Sequence, residues 1–288
     1  MRIRIDHETR YHYDAPVRGV SQVLRLKPRP HDGQHIVSWR VDVDVDGRLR
    51  ESEDAFGNRI LRLSAEGPLE EITLSVAGEV ETQDTAGMLS GQPERLPPEV
   101  YTRQTPLTEL TPALEAFAGD AVSGVDDRLD QLHALLGAVH QQVVYDTRST
   151  TVATSAIEAF TQGRGVCQDL AHIFIACARH VGAPARYVSG HLARADGVIE
   201  QEASHAWAEA LVPGLGWVGF DPANGGCPSE RHVRVACGFD YLSAAPVRGS
   251  RIGGGAERLS VRLVVSPQPM MQNQSAALGP AQLSQAQG

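Results

Sequence analysis

The sequence predicts an α+β protein, a β-sandwich domain followed by a mixed core, and three observations carry that prediction. Residues 1–81 alternate apolar and polar side chains with the period of two that strands require. From Thr111 to Val181 the apolar spacing becomes that of helices facing a core. After Ala185 the period of two returns, so strands and helices occupy separate runs of the chain. At 288 residues there is room for about two domains with proper cores.

Met1, Ile3 and Ile5 alternate with Arg2, Arg4 and Asp6, which opens the first strand. The run from Val37 to Asp46 is apolar on odd positions and mostly charged on even ones, a strand with one wet face, and Asp46-Gly47 supplies its turn. Phe56-Gly57-Asn58 marks a further turn before Ile60 to Leu63, and Ile72, Leu74, Val76 and Val80 keep one phase. Several short strands separated by turns predict a sandwich over 1–81. Asp42, Asp44 and Asp46 read as a solvated strand face rather than a calcium site, since no convergent loop supplies the other oxygens. Residues 82–98, rich in Gly, Pro, Ser and Thr, read as a linker, and 99–265 as the core. Within it, Thr111-Pro112 caps a helix, and Leu129, Leu132, Leu135, Leu136, Val139 and Val143 form an amphipathic stripe. A short helix covers Thr154 to Phe160. Strands then follow over Ala185 to Gly190, Ser204 to Val212 and Trp217 to Asp221, the last two joined by a tight turn at 213–216. Leu259 to Val265 is the final strand, and residues 266–288, uncharged and glutamine-rich, read as a disordered tail.

The net charge is −9 with the acids scattered, which argues against nucleic-acid binding. No run reaches the ~18 apolar residues that span a bilayer, so no membrane association is expected. The opening Met-Arg-Ile-Arg-Ile-Asp-His has no signal-peptide core, and a cytoplasmic location is expected. Cys167, Cys177, Cys227 and Cys237 are accordingly expected as thiols. Lys27 is the only lysine among 26 basic residues.

Chemistry concentrates in the stretch from Gly163 to His172. Two glycines permit a tight turn, and Cys167 then heads a helical run through Leu170, Ile173, Phe174 and Cys177 to a stop at Gly182. A thiol at a helix N-terminus meets the positive end of the dipole and unpaired N–H groups, which favour thiolate. A thiolate nucleophile needs a base, and the base an orienting group. His205 opens one strand of the hairpin and Asp221 ends the other. Their direct opposition would centre the hairpin on position 213, one or two residues short of the visible turn, a gap that a bulge would close.

Three ordered motifs carry a resemblance: Gly165-Val166-Cys167-Gln168-Asp169-Leu170-Ala171-His172, Ser204-His205-Ala206-Trp207, and Gly216-Trp217 through Phe220-Asp221-Pro222-Ala223-Asn224. Together they resemble the bacterial transglutaminase-like family, often described as candidate cysteine proteases. The resemblance continues through Arg231-His232-Val233 to Tyr241, and Asp54-Ala55-Phe56-Gly57-Asn58 is similar to that family's N-terminal domain. It implies a papain-like core with a triad carried by Cys167, His205 and Asp221. Ala223 departs from it, standing where the family pattern has threonine.

Around these positions the backbone N–H of Cys167 is a natural oxyanion donor, with Gln162 a candidate for the second. His172, about 140° round the helix from Cys167, is expected in the core or capping a partner. Asp169 is expected to stabilise the helix start, and Trp207 and Trp217 to pack the hairpin. The expected activity is thiol-dependent hydrolysis of peptide or carboxamide bonds through a thioester, on a protein or peptide substrate, without cofactor or metal. Its rivals are acyl transfer to an amine and a non-catalytic binding module on the same fold. A zinc site through Cys227, His232 and Cys237 is the least favoured reading, because the spacing matches no structural zinc pattern.

Overall fold

The computed structural model describes residues 1–268. The chain begins with β1 (Arg2–Lys27), β2 (Gln34–Val43), β3 (Arg48–Glu53) and β4 (Arg59–Thr82). Alternation along β1 buries Ile3, Ile5, Tyr11 and Tyr13, then changes phase to Val20, Leu24 and Leu26. Register shifts between His12, Val17 and Gly19 are where the phase turns over, because an unpaired residue in a bulge moves every later side chain to the other face. The same device operates on β2, where a shift between Ile36 and Ser38 leaves Val37 exposed and carries Ile36 inward.

Where the sequence predicted a sandwich of short strands, these four belong among the described residues to one seven-stranded hydrogen-bonded sheet, ordered β2-β4-β1 with β3 on β4. A Cβ on Gly67 would lie 1.9 Å from the carbonyl oxygen of Val17, so only glycine fits where the two strands cross that irregularity.

The segment expected as a linker is tied down: β5 (Met88–Leu89) adds to a second sheet, and Glu94 pairs with Arg186 at 2.9 Å. Helices follow. Thr111 caps α1 (Pro112–Ala121) by accepting from the Leu114 N–H, and Asp127 caps α2 (Arg128–Gln142). Val143 leaves the helix as its C-cap, which makes α2 about four turns long. After β6 (Val144–Tyr145), a capping box between Ser155 and Glu158 starts α3 (Ala156–Gln162), and β7 (Arg164–Gly165) leads into α4 (Cys167–His180). Of α4 all but His180 is buried. It is the central helix, enclosed by α1, α2 and α3 and by β8 (Ala185–Leu192) and, beyond β9 (Glu200–Gln201), β10 (His205–Val212). Next come β11 (Gly216–Phe220), β12 (His232–Gly238), α5 (Tyr241–Ala244), β13 (Val247–Gly253) and β14 (Glu257–Gln268).

The second sheet runs β12-β8-β10-β11-β5. Its small face, Ala185, Ala206, Ala208 and Ala210, lets α4 pack closely. The last two strands cross back, β13 and β14 both pairing with β1, so 247–268 belong to the first sheet and not to the one that carries the hairpin. Ser266 to Gln268, expected in the tail, pair with Arg4 to Arg2; the remainder of the expected tail lies outside the described residues. Ile3, Ile5, Val80, Leu263 and Val265 share one core with Ala193 and Val233 of the second unit. A buried ionic network crosses the opposite face of the second sheet: Glu209 accepts from Arg186 at 2.6 Å and from Arg234 at 2.7 Å, and Arg186 lies 3.9 Å over the Trp217 ring. No helix among the described residues is long and apolar enough to cross a membrane.

Candidate active site

The start of α4 is fixed by its own sequence. Gly163 ends α3 at φ +63, in the left-handed region that favours glycine. The parallel pairing of β6 with β7 sets Tyr145 beside Gly165, and the Val144 N–H donates to the Gly163 carbonyl. Asp169 reaches back to accept the Val166 N–H at 2.8 Å and the Thr150 hydroxyl at 2.6 Å. A Cβ on Gly165 would sit 2.7 Å from that of Asp169, so the second glycine makes room for this cap. Burial pushes the Asp169 carboxyl up, while these two hydrogen bonds oppose the shift. Cys167 is thus the first residue of α4, with 8% of its surface exposed. Tyr145 stands close enough for the charge of Cys167 to act on its phenol, which partial desolvation, and after it that charge, raise to about 12.

The hairpin places the other two residues. β10 and β11 pair without a bulge, Val212 opposite Gly216 and Ala208 opposite Phe220, which centres the turn on Gly214. The expected bulge is absent because none is needed. Continuing that register sets Asp221 opposite Trp207, and His205, two residues earlier on the same face, is its diagonal neighbour. The gap is closed by reach: His205 Nε2 lies 2.6 Å from Asp221 Oδ2. The other ring nitrogen, Nδ1, is then the one free to serve a thiol.

Asp221 is fully buried and heavily solvated by protein. Its Oδ1 accepts the N–H groups of Ala223 and Asn224, and its Oδ2 accepts from Asn224 Nδ2 at 2.7 Å and His232 Nε2 at 3.1 Å as well as from His205. Burial opposes its charge, but the two histidines outweigh burial and hold the carboxyl far below its usual range. Burial likewise lowers His205, yet the charge and hydrogen bond of Asp221, with a smaller contribution from Cys167, push it up to about 10. The Trp207 ring stacks on His205 and meets His232 edge-on. It occupies the space that a side chain at Gly190, the strand partner of His205, would fill.

Residues 3–81 match the family described as the bacterial transglutaminase-like N-terminal region, and 115–222, which hold Cys167, His205 and Asp221, match the transglutaminase-like superfamily. The chain is 30% identical over 273 residues to an uncharacterised protein of Mycobacterium leprae, covering 90% of this chain and 96% of the relative. It belongs to the bacterial transglutaminase-like family. A Mycobacterium tuberculosis relative, also uncharacterised, is 29% identical over 272 residues, covering 86% and 87% of the two chains. The fold is similar to that of a Cytophaga hutchinsonii protein described as a candidate cysteine protease, with TM-score 0.74 at 21% identity over 92% of this chain and 90% of that one.

Other motif residues of this transglutaminase-like core have structural places. His172 is fully buried and accepts the Tyr241 N–H at Nε2, capping α5. Gln162 ends α3 exposed to solvent. Trp217 packs against Arg186 and Tyr101. Cys237 is buried with Val188 and Trp207, and among the described residues no metal-ligating group joins Cys227 or Cys237 to His232. The zinc reading through those cysteines is not supported. The ligand atoms of His205, Asp221 and His232 do lie within 4.8 Å of one another. They are already joined at 2.6 and 3.1 Å by hydrogen bonds, and the nearer approach is too short for two ligands spanning a metal at ~2 Å bonds.

His232 and Asn224 are the partners of Asp221 that motif reasoning did not assign. Asn224 could have been read from the Asp-Pro-Ala-Asn turn, where such side chains bond locally. For His232 the only sequence signal is its place at the head of an alternating run.

Proposed function

We propose that this chain is a thiol hydrolase of peptide or carboxamide bonds, acting through Cys167, His205 and Asp221. One observation carries the reading: His205 is bonded through one nitrogen to a buried carboxylate, and the cysteine at the start of α4 lies within electrostatic reach of it. In this reading Cys167 Sγ attacks the carbonyl carbon, and its backbone N–H faces the developing oxyanion. The His205 imidazolium gives its Nδ1 proton to the departing nitrogen as the C–N bond breaks, leaving a thioester and a free amine. Neutral His205 then takes a proton from water as the hydroxide adds to the thioester carbon. Loss of the thiolate releases the acid and restores the ion pair. Asp221 carries no proton; it orients His205 and stabilises the imidazolium.

Hydrolysis is favoured over transfer to an amine by the course of the loop after β8. Specific aminolysis has to exclude water from the thioester. The loop after β8 is instead drawn off to the first sheet, where β9 pairs with Leu263 and Val264 of β14. The test is incubation with a glutamine-containing peptide and a labelled primary amine, following ammonia release, chain cleavage and label incorporation together. Hydrolysis that exceeds incorporation and disappears in Cys167→Ala is expected. Incorporation exceeding hydrolysis at millimolar amine would make the chain a transferase, and inertness of Cys167 toward thiol reagents would favour the binding-module reading.

A further inference from the structure

We infer that His232 is a positioning residue of this site, fixing Asp221 against His205, and that the N-terminal sheet sets its place by clamping β12. The inference rests on the thiol chemistry proposed above and adds to it a fourth side chain and a role for the N-terminal sheet. His232 lies outside both family-matched segments.

The chemistry begins with the tautomer. The Ser229 N–H donates to His232 Nδ1 at 3.1 Å, so that nitrogen is an acceptor and the ring proton sits on Nε2. Nε2 then donates to Asp221 Oδ2 at 3.1 Å. A carboxylate bonded to His205 alone could turn about its own axis. With His232 and Asn224 on the same oxygen, and two backbone N–H groups on the other, one orientation satisfies every donor.

The second half concerns what holds the donor. β12 is the edge strand of its sheet, and its outward backbone groups need partners. Gln34 of β2 supplies two: its Oε1 accepts the Arg234 N–H at 2.8 Å and its Nε2 donates to the Arg234 carbonyl at 2.9 Å. Asn58, just ahead of β4, does the same for Cys237 at 2.8 and 2.7 Å. Outward groups normally recur every second residue, and 234 and 237 are three apart; the register shift between Arg234 and Ala236 reconciles them. Two amides some 200 residues away in sequence thus fix the height of β12, and with it His232 two positions before Arg234.

The experiment measures the rate at which iodoacetamide alkylates Cys167 at pH 7, resolved by peptide mapping with Cys227 as the half-buried reference thiol. His232→Phe keeps a ring and removes the donor; His232→Gln keeps a donor of similar reach. We expect the Phe variant to react about 10- to 100-fold more slowly, the worth of one hydrogen bond to a charged group. The Gln variant should return to within about threefold of wild type on the same reasoning, a rescue that mere packing would not give. A low-field proton resonance between His205 and Asp221 should persist in His232→Gln and shift or broaden in His232→Phe. Gln34→Ala combined with Asn58→Ala, which touches no site residue, should slow Cys167 by an intermediate factor.

A folded Phe variant with the wild-type rate and an unmoved resonance overturns the inference. Should that variant fail to fold, a wild-type rate in the double amide variant overturns it. Wild-type Cys167 reacting no faster than Cys227 sinks the thiol chemistry itself, and the resonance in the two His232 variants then decides the positioning by itself.

Discussion

Replacing Asp221 by asparagine removes one charge and almost no volume, yet the donor arrangement makes it costly to both stability and chemistry. The carboxylate accepts two backbone N–H groups on Oδ1 and three side-chain donors on Oδ2. An amide has one oxygen. If that oxygen stays toward His205, the new NH2 faces the N–H groups of Ala223 and Asn224, and two part-buried donors lose their acceptor. Each such loss costs about 1–3 kcal/mol, and relaxation of the exposed end of the turn brings the sum to about 2–4 kcal/mol. If the oxygen turns to the backbone, the NH2 faces His205 and drives its proton from Nε2 to Nδ1, leaving no base toward Cys167. In either orientation the imidazolium loses its neighbouring negative charge, so the His205 pKa falls from its raised position near 10. The expected outcome is a folded protein destabilised by about 2–4 kcal/mol in urea, with thiol-dependent hydrolysis down by roughly 10²–10⁴-fold, the range seen for triads. The alkaline limb of hydrolysis should move to lower pH, since the imidazolium that protonates the leaving nitrogen loses its proton earlier. A variant with wild-type urea midpoint and an unmoved alkaline limb would refute the argument, and would reduce Asp221 to a turn residue.

Three further outcomes are expected. Brief iodoacetamide treatment at neutral pH should label Cys167 far ahead of Cys177, whose fully buried thiol is pushed up to about 12 by its surroundings; equal labelling of all four thiols would remove the case for an activated nucleophile. Glu209→Gln should destabilise the protein at pH 7 by about 3–5 kcal/mol, because Arg186 and Arg234 stay buried without their shared partner. Burial disfavours the Glu209 charge, but Arg234 and Arg186 prevail and hold it at about 2, below its unfolded value. The stability it contributes is therefore complete above about pH 5 and is lost as pH falls toward 2. Urea unfolding at pH 7 and at about pH 3 should show a smaller acid loss in the variant, and parallel losses would contradict the linkage. Finally, prolonged incubation of the concentrated protein should give no covalent ladder on denaturing gels. Lys27 is the only lysine in the chain and is held at 2.7 Å by Glu51, so ladders absent from Cys167→Ala would point to efficient self-transfer.

Element type and local chemistry were legible in the sequence because they depend on neighbours within a few residues. Alternation identified strands in both sheets but not β3, β12 or β13, Thr111 caps α1 as its place before proline suggested, and Cys167 is the first residue of α4. The order of Cys167, His205 and Asp221 could also be read, since one helix start and one hairpin carry all three. Tertiary structure decided what those patterns do not encode. The register shift at Val17 joined short predicted strands into the long β1 and β4, and the one at Val37 reset the phase of β2; a bulge is one residue's change of phase, and a run of alternating apolar residues does not announce it. β13 and β14 returned to the first sheet because pairing with β1 is a long-range choice among strands of similar pattern. The Asp221 contact came from a diagonal reach across a regular register, where simple opposition had called for a bulge. His232, Gln34 and Asn58 left the least trace. Each acts through one or two hydrogen bonds to a partner far off in the chain, and a single polar residue carries no periodicity from which its partner could be inferred.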